Sequence, residues 1–119
     1  MKILVVDDSQ TMRRIIINTL RQIGQNDILE AGDGIEGLAQ LHNEPNIGLI
    51  LTDWNMPNMN GLEFLTKVRE VNKTIPIVMI TTEAEKTNVI TAIKAGASNY
   101  IVKPFTPEIL KEKLTAYLK

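Results

Sequence analysis

The sequence predicts an α/β domain with a doubly wound, five-stranded parallel sheet and helices on both faces. Three observations predict it. Five short apolar runs rich in Val and Ile alternate strictly with five segments whose apolar residues recur at helical steps. At 119 residues, the chain is long enough for one core and too short for two domains. The polar residues that interrupt the apolar pattern fall directly after strands, at the edge where open parallel sheets bind ligands.

Ile3 to Val6 is continuously apolar, as a strand covered on both faces should be. Met12, Ile15, Ile16, Leu20 and Ile23 then form one helical stripe, with Ser9 available to cap it and Gly24 to end it. Asp27 to Ala31 is a shorter, more polar strand, expected near a sheet edge. Asp33 can cap the next helix, which carries Ile35, Leu38 and Leu41. Ile47 to Leu51 is again a buried strand, and the stretch from Asp53 to Gly61 is dense in turn formers. A helix with Leu62, Leu65 and Val68 follows. Ile75 to Ile80 reads as a strand with Pro76 at its start, where proline costs least. The chain closes with a helix through Val89, Ala92, Ile93 and Gly96, a strand Asn99 to Val102, and a helix through Leu110, Leu114, Tyr117 and Leu118.

Right-handed crossovers between parallel strands answer that alternation. The three most apolar strands, the first, third and fourth, belong in the middle. The implied order is 2-1-3-4-5, with its switch point between strands one and three. No linker, repeat or charge block divides the chain, so one domain is expected over 1–119.

Composition narrows the function. The chain has no cysteine, which removes disulfides, thiolate metal sites and thiol nucleophiles. Thirteen Lys and Arg balance 14 Asp and Glu, giving no electrostatic reason to expect nucleic-acid or membrane binding. No apolar run approaches the roughly 20 residues that span a bilayer. The N-terminal strand runs into acid and has no cleavage site of the secretory type, so the expected location is the cytoplasm. His42, the single histidine, is read as a solvated surface residue. Arg13 and Arg14 are read as a solvated helix face.

Asp7 and Asp8 follow the first strand, Asp53 the third, Thr81 the fourth and Lys103 the fifth. Topology alone should bring these residues together. Three carboxylates in one pocket repel one another unless a cation joins them. All-oxygen ligands without His or Cys favour a hard ion, and Mg²⁺ takes one or two carboxylates while leaving room for phosphate oxygens. Lys103 then has a role as a point charge for a phosphate, and Thr81 as a hydrogen-bond donor to it. Asp53, at the centre, is the carboxylate best placed to become an acyl phosphate. Singly, each residue has a plainer reading as a cap, turn or loop residue. Their joint occurrence at four strand ends does not.

These residues sit in recognisable motifs: Val5-Val6-Asp7-Asp8, Leu51-Thr52-Asp53-Trp54-Asn55-Met56-Pro57, Met59-Asn60-Gly61, Ile80-Thr81-Thr82 and Val102-Lys103-Pro104-Phe105. In order and at these spacings, they make the chain resemble the flavodoxin-like receiver domains of two-component response regulators along nearly its whole length. Thr11-Met12-Arg13-Arg14, Ala95-Gly96-Ala97-Ser98-Asn99-Tyr100 and Leu110-Lys111-Glu112-Lys113-Leu114 point to the chemotaxis type.

The resemblance implies roles. Asp53 would accept a phosphoryl group from a sensor histidine kinase. Asp8, Asp53 and the Asn55 backbone carbonyl would hold Mg²⁺, with Asp7 acting through water. Lys103 would pair with the phosphate, and its bond to Pro104 would be cis. Thr81 would move toward the phosphate, opening space that Tyr100 fills by rotating inward. The output would be altered affinity for a partner, most naturally the flagellar motor switch protein, with a phosphatase as a further partner. Because the chain stops after its fifth helix, it is expected to act alone, as a monomer and a switch rather than an enzyme. Asn55 and Glu83 imply a short-lived phosphoryl group. Thr82 stands where many relatives have a small residue, narrowing access to the phosphate.

Other readings predict other residues. A receiver from another pathway, or one cut from a longer regulator, would share all these motifs. An aspartate-nucleophile phosphatase would need Asp-x-Asp after the first strand, where this chain has adjacent Asp7 and Asp8. A flavin carrier would need a Ser/Thr/Gly-rich first turn, which is missing.

Overall fold

The computed structural model describes residues 1–118; Lys119 lies outside the described residues. The elements are β1 (Lys2–Val6), α1 (Gln10–Gln22), β2 (Asp27–Ala31), α2 (Gly34–Asn43), β3 (Ile47–Thr52), α3 (Gly61–Val71), β4 (Ile77–Thr81), α4 (Lys86–Ala95), β5 (Asn99–Val102) and α5 (Pro107–Leu114), followed by a 3₁₀ turn, Thr115–Tyr117. All four strand pairings are parallel, and the order is β2-β1-β3-β4-β5, as the apolarity of the runs predicts.

The pleat sends alternate residues to two cores. On one face, Ile3, Val5, Leu49, Leu51, Val78, Ile80 and Ile101 pack with Ile16, Ile17 and Leu20 of α1 and Leu110 and Leu114 of α5. On the other, Leu4, Val6, Ile50, Ile77 and Met79 pack with Phe64, Leu65 and Val68 of α3 and Ala92 of α4, with Leu38 and Leu41 of α2 against them. Burying that much aliphatic surface at about 25 cal/mol per Å² is the main force holding the layers together.

Four helices start on side-chain caps: Ser9, Asp33, Asn60 and Thr106 each accept from a backbone N–H in the first turn. Asn60 and Glu63 form a reciprocal capping box. Gly24, with φ of 91°, takes the left-handed position just after α1.

Three details depart from expectation. Strand β4 begins at Ile77, not Ile75, because Pro76 has no N–H and the Ile75 N–H is taken by Asn72 Oδ1 at 3.0 Å. The buried stripe of α1 includes Ile17 and leaves Ile15 44% exposed, because α1 leans on α5 as well as on the sheet. The last helix ends at Leu114, and Tyr117 belongs to the 3₁₀ turn.

Side chains reach backbone carbonyls on the open borders of both outer strands. Gln40 Nε2 donates to the Glu30 carbonyl of β2 at 3.0 Å. Lys113 Nζ donates to the Tyr100 carbonyl of β5 at 3.2 Å, and the Tyr117 hydroxyl to that of Ser98 at 3.1 Å. Among the described residues, no helix is long and apolar enough to cross a membrane.

Candidate functional site

The carboxyl ends of β1, β3, β4 and β5 deliver Asp7 and Asp8, Asp53, Thr81 and Lys103 to one place. One carboxylate oxygen from each of Asp7, Asp8 and Asp53 lies within 4.8 Å of the others. Asp7 and Asp53 are buried and Asp8 is exposed, so the cluster has a wall and an open side. Lys103 reaches over it, with Nζ at 2.8 Å from Asp7 Oδ2 and 3.2 Å from Asp53 Oδ2. Its bond to Pro104 is cis.

Backbone bonds fix the carboxylates from beneath. The Asp7 N–H donates to the Ala31 carbonyl and the Asp53 N–H to that of Val6, which extends the sheet pairing to both residues. The Ser9 N–H donates to Asp7 Oδ1 at 2.8 Å, and the Trp54 N–H to Asp53 Oδ1 at 2.6 Å. Gly61 lies so close to the loop after β3 that any Cβ would overlap the Asp53 carbonyl. The Asn58 side chain donates to Asp33 Oδ2 at 2.7 Å, and the Gly34 N–H to the Met59 carbonyl at 3.1 Å. These contacts tie that loop to the start of α2.

Electrostatics are unequally shared. Burial pushes the Asp7 carboxyl above its ordinary value, and Asp53 adds to the rise, while Lys103 and the Ser9 N–H pull it back. Burial alone would lower Lys103, but Asp7 and Asp53 together outweigh it, and the ammonium ends above its ordinary value. Both rise, which disfavours the charged form of Asp7 and favours that of Lys103, because one cation is divided between two buried carboxylates. Lys103 offsets one charge of the three, so the cluster retains an anionic excess that a hard, oxygen-seeking cation suits. The donor set, all carboxylate with no sulfur or imidazole, fits Mg²⁺.

Thr81 is fully buried, and its Oγ1 accepts from the Glu83 N–H at 3.3 Å. Tyr100 already points inward: it is 6% exposed, and its hydroxyl donates to the Glu83 carbonyl. Burial, with Glu83 and Asp53 nearby, pushes its phenol up to about 12. The Glu83 carboxylate is held on both oxygens, by Asn55 Nδ2 at 2.9 Å and Asn88 Nδ2 at 3.2 Å. His42 is on the surface, as expected.

Two residues escaped the sequence reading. Asn88, on α4, gave no signal beyond a polar residue in a helix. Arg13 is no solvated helix face, although its neighbour Arg14 is exposed. Its side chain is 17% exposed, its Nε donates to Glu30 Oε1 at 3.0 Å, and its Nη1 donates to the Asp7 carbonyl. Long helical side chains lean toward the helix N-terminus. An arginine one turn into α1 therefore reaches back over the end of β1, a signal available in the spacing.

Comparison with known proteins agrees with this geometry. The family model described as the response regulator receiver domain matches residues 3–115. The chain is 59% identical over 120 residues to chemotaxis protein CheY1 of Helicobacter pylori, covering 99% of this chain and 97% of that one. Chemotaxis protein CheY4 of Vibrio cholerae superposes with a TM-score of 0.90 at 38% identity, covering 98% of each chain. The Borrelia burgdorferi CheX-CheY-BeF3-Mg²⁺ complex matches with a TM-score of 0.91 at 29% identity, covering 99% of this chain and 90% of that one. With its strand order, its clustered carboxylates and these matches in agreement, the chain belongs to the response regulator receiver domain family.

Proposed function

We propose that this protein, as a receiver domain over 1–119, takes a phosphoryl group from a sensor histidine kinase onto Asp53 in a Mg²⁺-dependent reaction. It thereby changes its affinity for a partner, the flagellar motor switch protein. The observation that carries the reading is the convergence of Asp7, Asp8, Asp53 and the Lys103 ammonium at the switch point of the sheet. In the transfer, an Asp53 carboxylate oxygen attacks phosphorus in line, the P–N bond to the kinase imidazole breaks, and that nitrogen recovers a proton. Asp8, Asp53 and the Asn55 carbonyl would hold Mg²⁺, with Asp7 through water; the ion supplies charge neutralisation for the transferring oxygens.

The chain's own residues do the rest. The Trp54 N–H orients Asp53. Lys103 stands ready to exchange carboxylate contacts for a phosphate oxygen. Thr81, now accepting from the Glu83 N–H, would turn its hydroxyl to the phosphate. That movement, with Tyr100 held inward, reshapes the surface of α4, β5 and α5. The phosphoryl group selects between two arrangements and is not turned over as an enzyme's substrate.

Identity to chemotaxis relatives supports a kinase and a motor partner. The Borrelia complex, in which CheY is joined by CheX, supports a further partner, which we read as a phosphatase. We read the protein, with its balanced charge, as a cytoplasmic monomer that binds neither nucleic acid nor lipid.

The test is incubation with a small phosphodonor and Mg²⁺, followed by intact mass. One phosphoryl group should be added to the parent protein, none in the presence of EDTA, and none to Asp53→Asn. Labelling that survives both controls overturns the assignment.

A further inference from the structure

Among the described residues, four contacts hold Asp7 where β1 ends, and three of them come from obvious places: the Ala31 carbonyl of the neighbouring strand, the Ser9 N–H at the helix cap, and Lys103. The fourth comes from Arg13. Its Nη1–H is bonded to the Asp7 carbonyl, the oxygen of the peptide that joins the two aspartates. Its Nε–H is bonded at 3.0 Å to Glu30 on β2, which stops the guanidinium from swinging away.

We infer that Arg13 is a positioning residue for the divalent cation, acting by fixing the Asp7–Asp8 peptide so that both carboxylates face one point. The inference rests on the receiver reading above. A planar fork with donors in fixed directions can hold a carbonyl and a carboxylate at once, whereas a lysine ammonium is a flexible point charge. Charge alone gives no reason for the arrangement. A cation beside the carboxylates repels an incoming Mg²⁺, so a purely electrostatic Arg13 would weaken metal binding. Geometry and charge therefore predict opposite signs.

The test is titration of MgCl₂ into the full chain, parent against Arg13→Lys and Arg13→Met, read by Trp54 fluorescence and by calorimetry. If Arg13 positions the aspartates, both variants bind Mg²⁺ more weakly, by about tenfold, as for other residues that orient metal ligands. Arg13→Met binding as tightly as the parent or more tightly, or Arg13→Lys binding unchanged, overturns the inference. A thermal melt accompanies each titration. A variant that melts earlier but binds Mg²⁺ normally while folded shows Arg13 to be a structural brace only, which also overturns it. If Arg13→Met does not fold, Arg13→Lys decides. A parent protein with no magnesium response removes the receiver reading itself, whereas a responsive parent with unaltered variants removes only the role of Arg13.

Discussion

The Tyr100 hydroxyl donates its hydrogen bond to the backbone carbonyl of Glu83, joining β5 to the loop that leaves β4. The phenol must stay protonated to make that bond, and burial holds its pKa up at about 12. An unfolded tyrosine loses its proton near its ordinary 10.0, so the unfolded state releases its proton first. Stability contributed by Tyr100 is therefore complete below pH 10 and lost as pH rises toward 12. Tyr100→Phe should cost about 1 kcal/mol at neutral pH and flatten the decline above pH 10. Urea denaturation across the alkaline range checks both, and an unchanged decline in the variant refutes the assignment.

Asp7 and Lys103 should respond oppositely to neutralisation. The raised Asp7 carboxyl holds its proton more firmly folded than unfolded, so its ionisation opposes folding at neutral pH, and the penalty lifts as pH falls through the raised value. The raised Lys103 ammonium stabilises the fold below the ordinary lysine value, and that stability is lost as pH rises through the higher one. In EDTA at neutral pH, Asp7→Asn is expected to stabilise the protein by about 1 kcal/mol, and Lys103→Met to destabilise it by about 3 kcal/mol. Calorimetric melts decide; a strongly destabilised Asp7→Asn contradicts the account.

Gly61→Ala drives a methyl group into the Asp53 carbonyl. Backbone must move to relieve it, at a cost of about 2–3 kcal/mol. The displaced atoms belong to the residue read as phosphoacceptor. The variant should therefore take up a phosphoryl group more slowly even at temperatures where it is fully folded, as timed intact-mass measurements would show.

Asp33 anchors two things, the Glu36 N–H of α2 at 2.9 Å and the Asn58 side chain of the loop after β3. The Glu36 N–H and then Asn58 hold its carboxyl below the ordinary value. Its stabilisation is present above the ordinary carboxylate range and lost as pH falls through the lowered value. Asp33→Ala should cost about 1–2 kcal/mol at neutral pH, a difference that narrows in strong acid. Urea midpoints at neutral and acid pH measure it.

Periodicity and apolarity alone make most of the fold legible. Ile3–Val6, and Ile47–Leu51 apart from Gly48, are apolar because both faces of a central strand are covered. The more polar Asp27–Ala31 lies at the edge, as its composition requires. Asp7, Asp8, Asp53 and Lys103 were legible as a group because topology, not proximity in sequence, assembles them. What escaped depends on tertiary geometry. The lean of α1 on α5 brings in Ile17 and releases Ile15, which a single-helix pattern cannot register. Asn72 claims the Ile75 N–H from a turn that no strand pattern contains. The inward setting of Tyr100 and the grip of Arg13 are rotamer choices, made by neighbours from other elements.

A parallel sheet with two open sides offers carbonyls on which a foreign strand can template itself. Here Gln40 has claimed the Glu30 carbonyl on one border, and Lys113 and Tyr117 those of Tyr100 and Ser98 on the other. Strand addition from another molecule would have to evict these side chains first. Addition of a foreign strand over those carbonyls is thereby opposed on both borders.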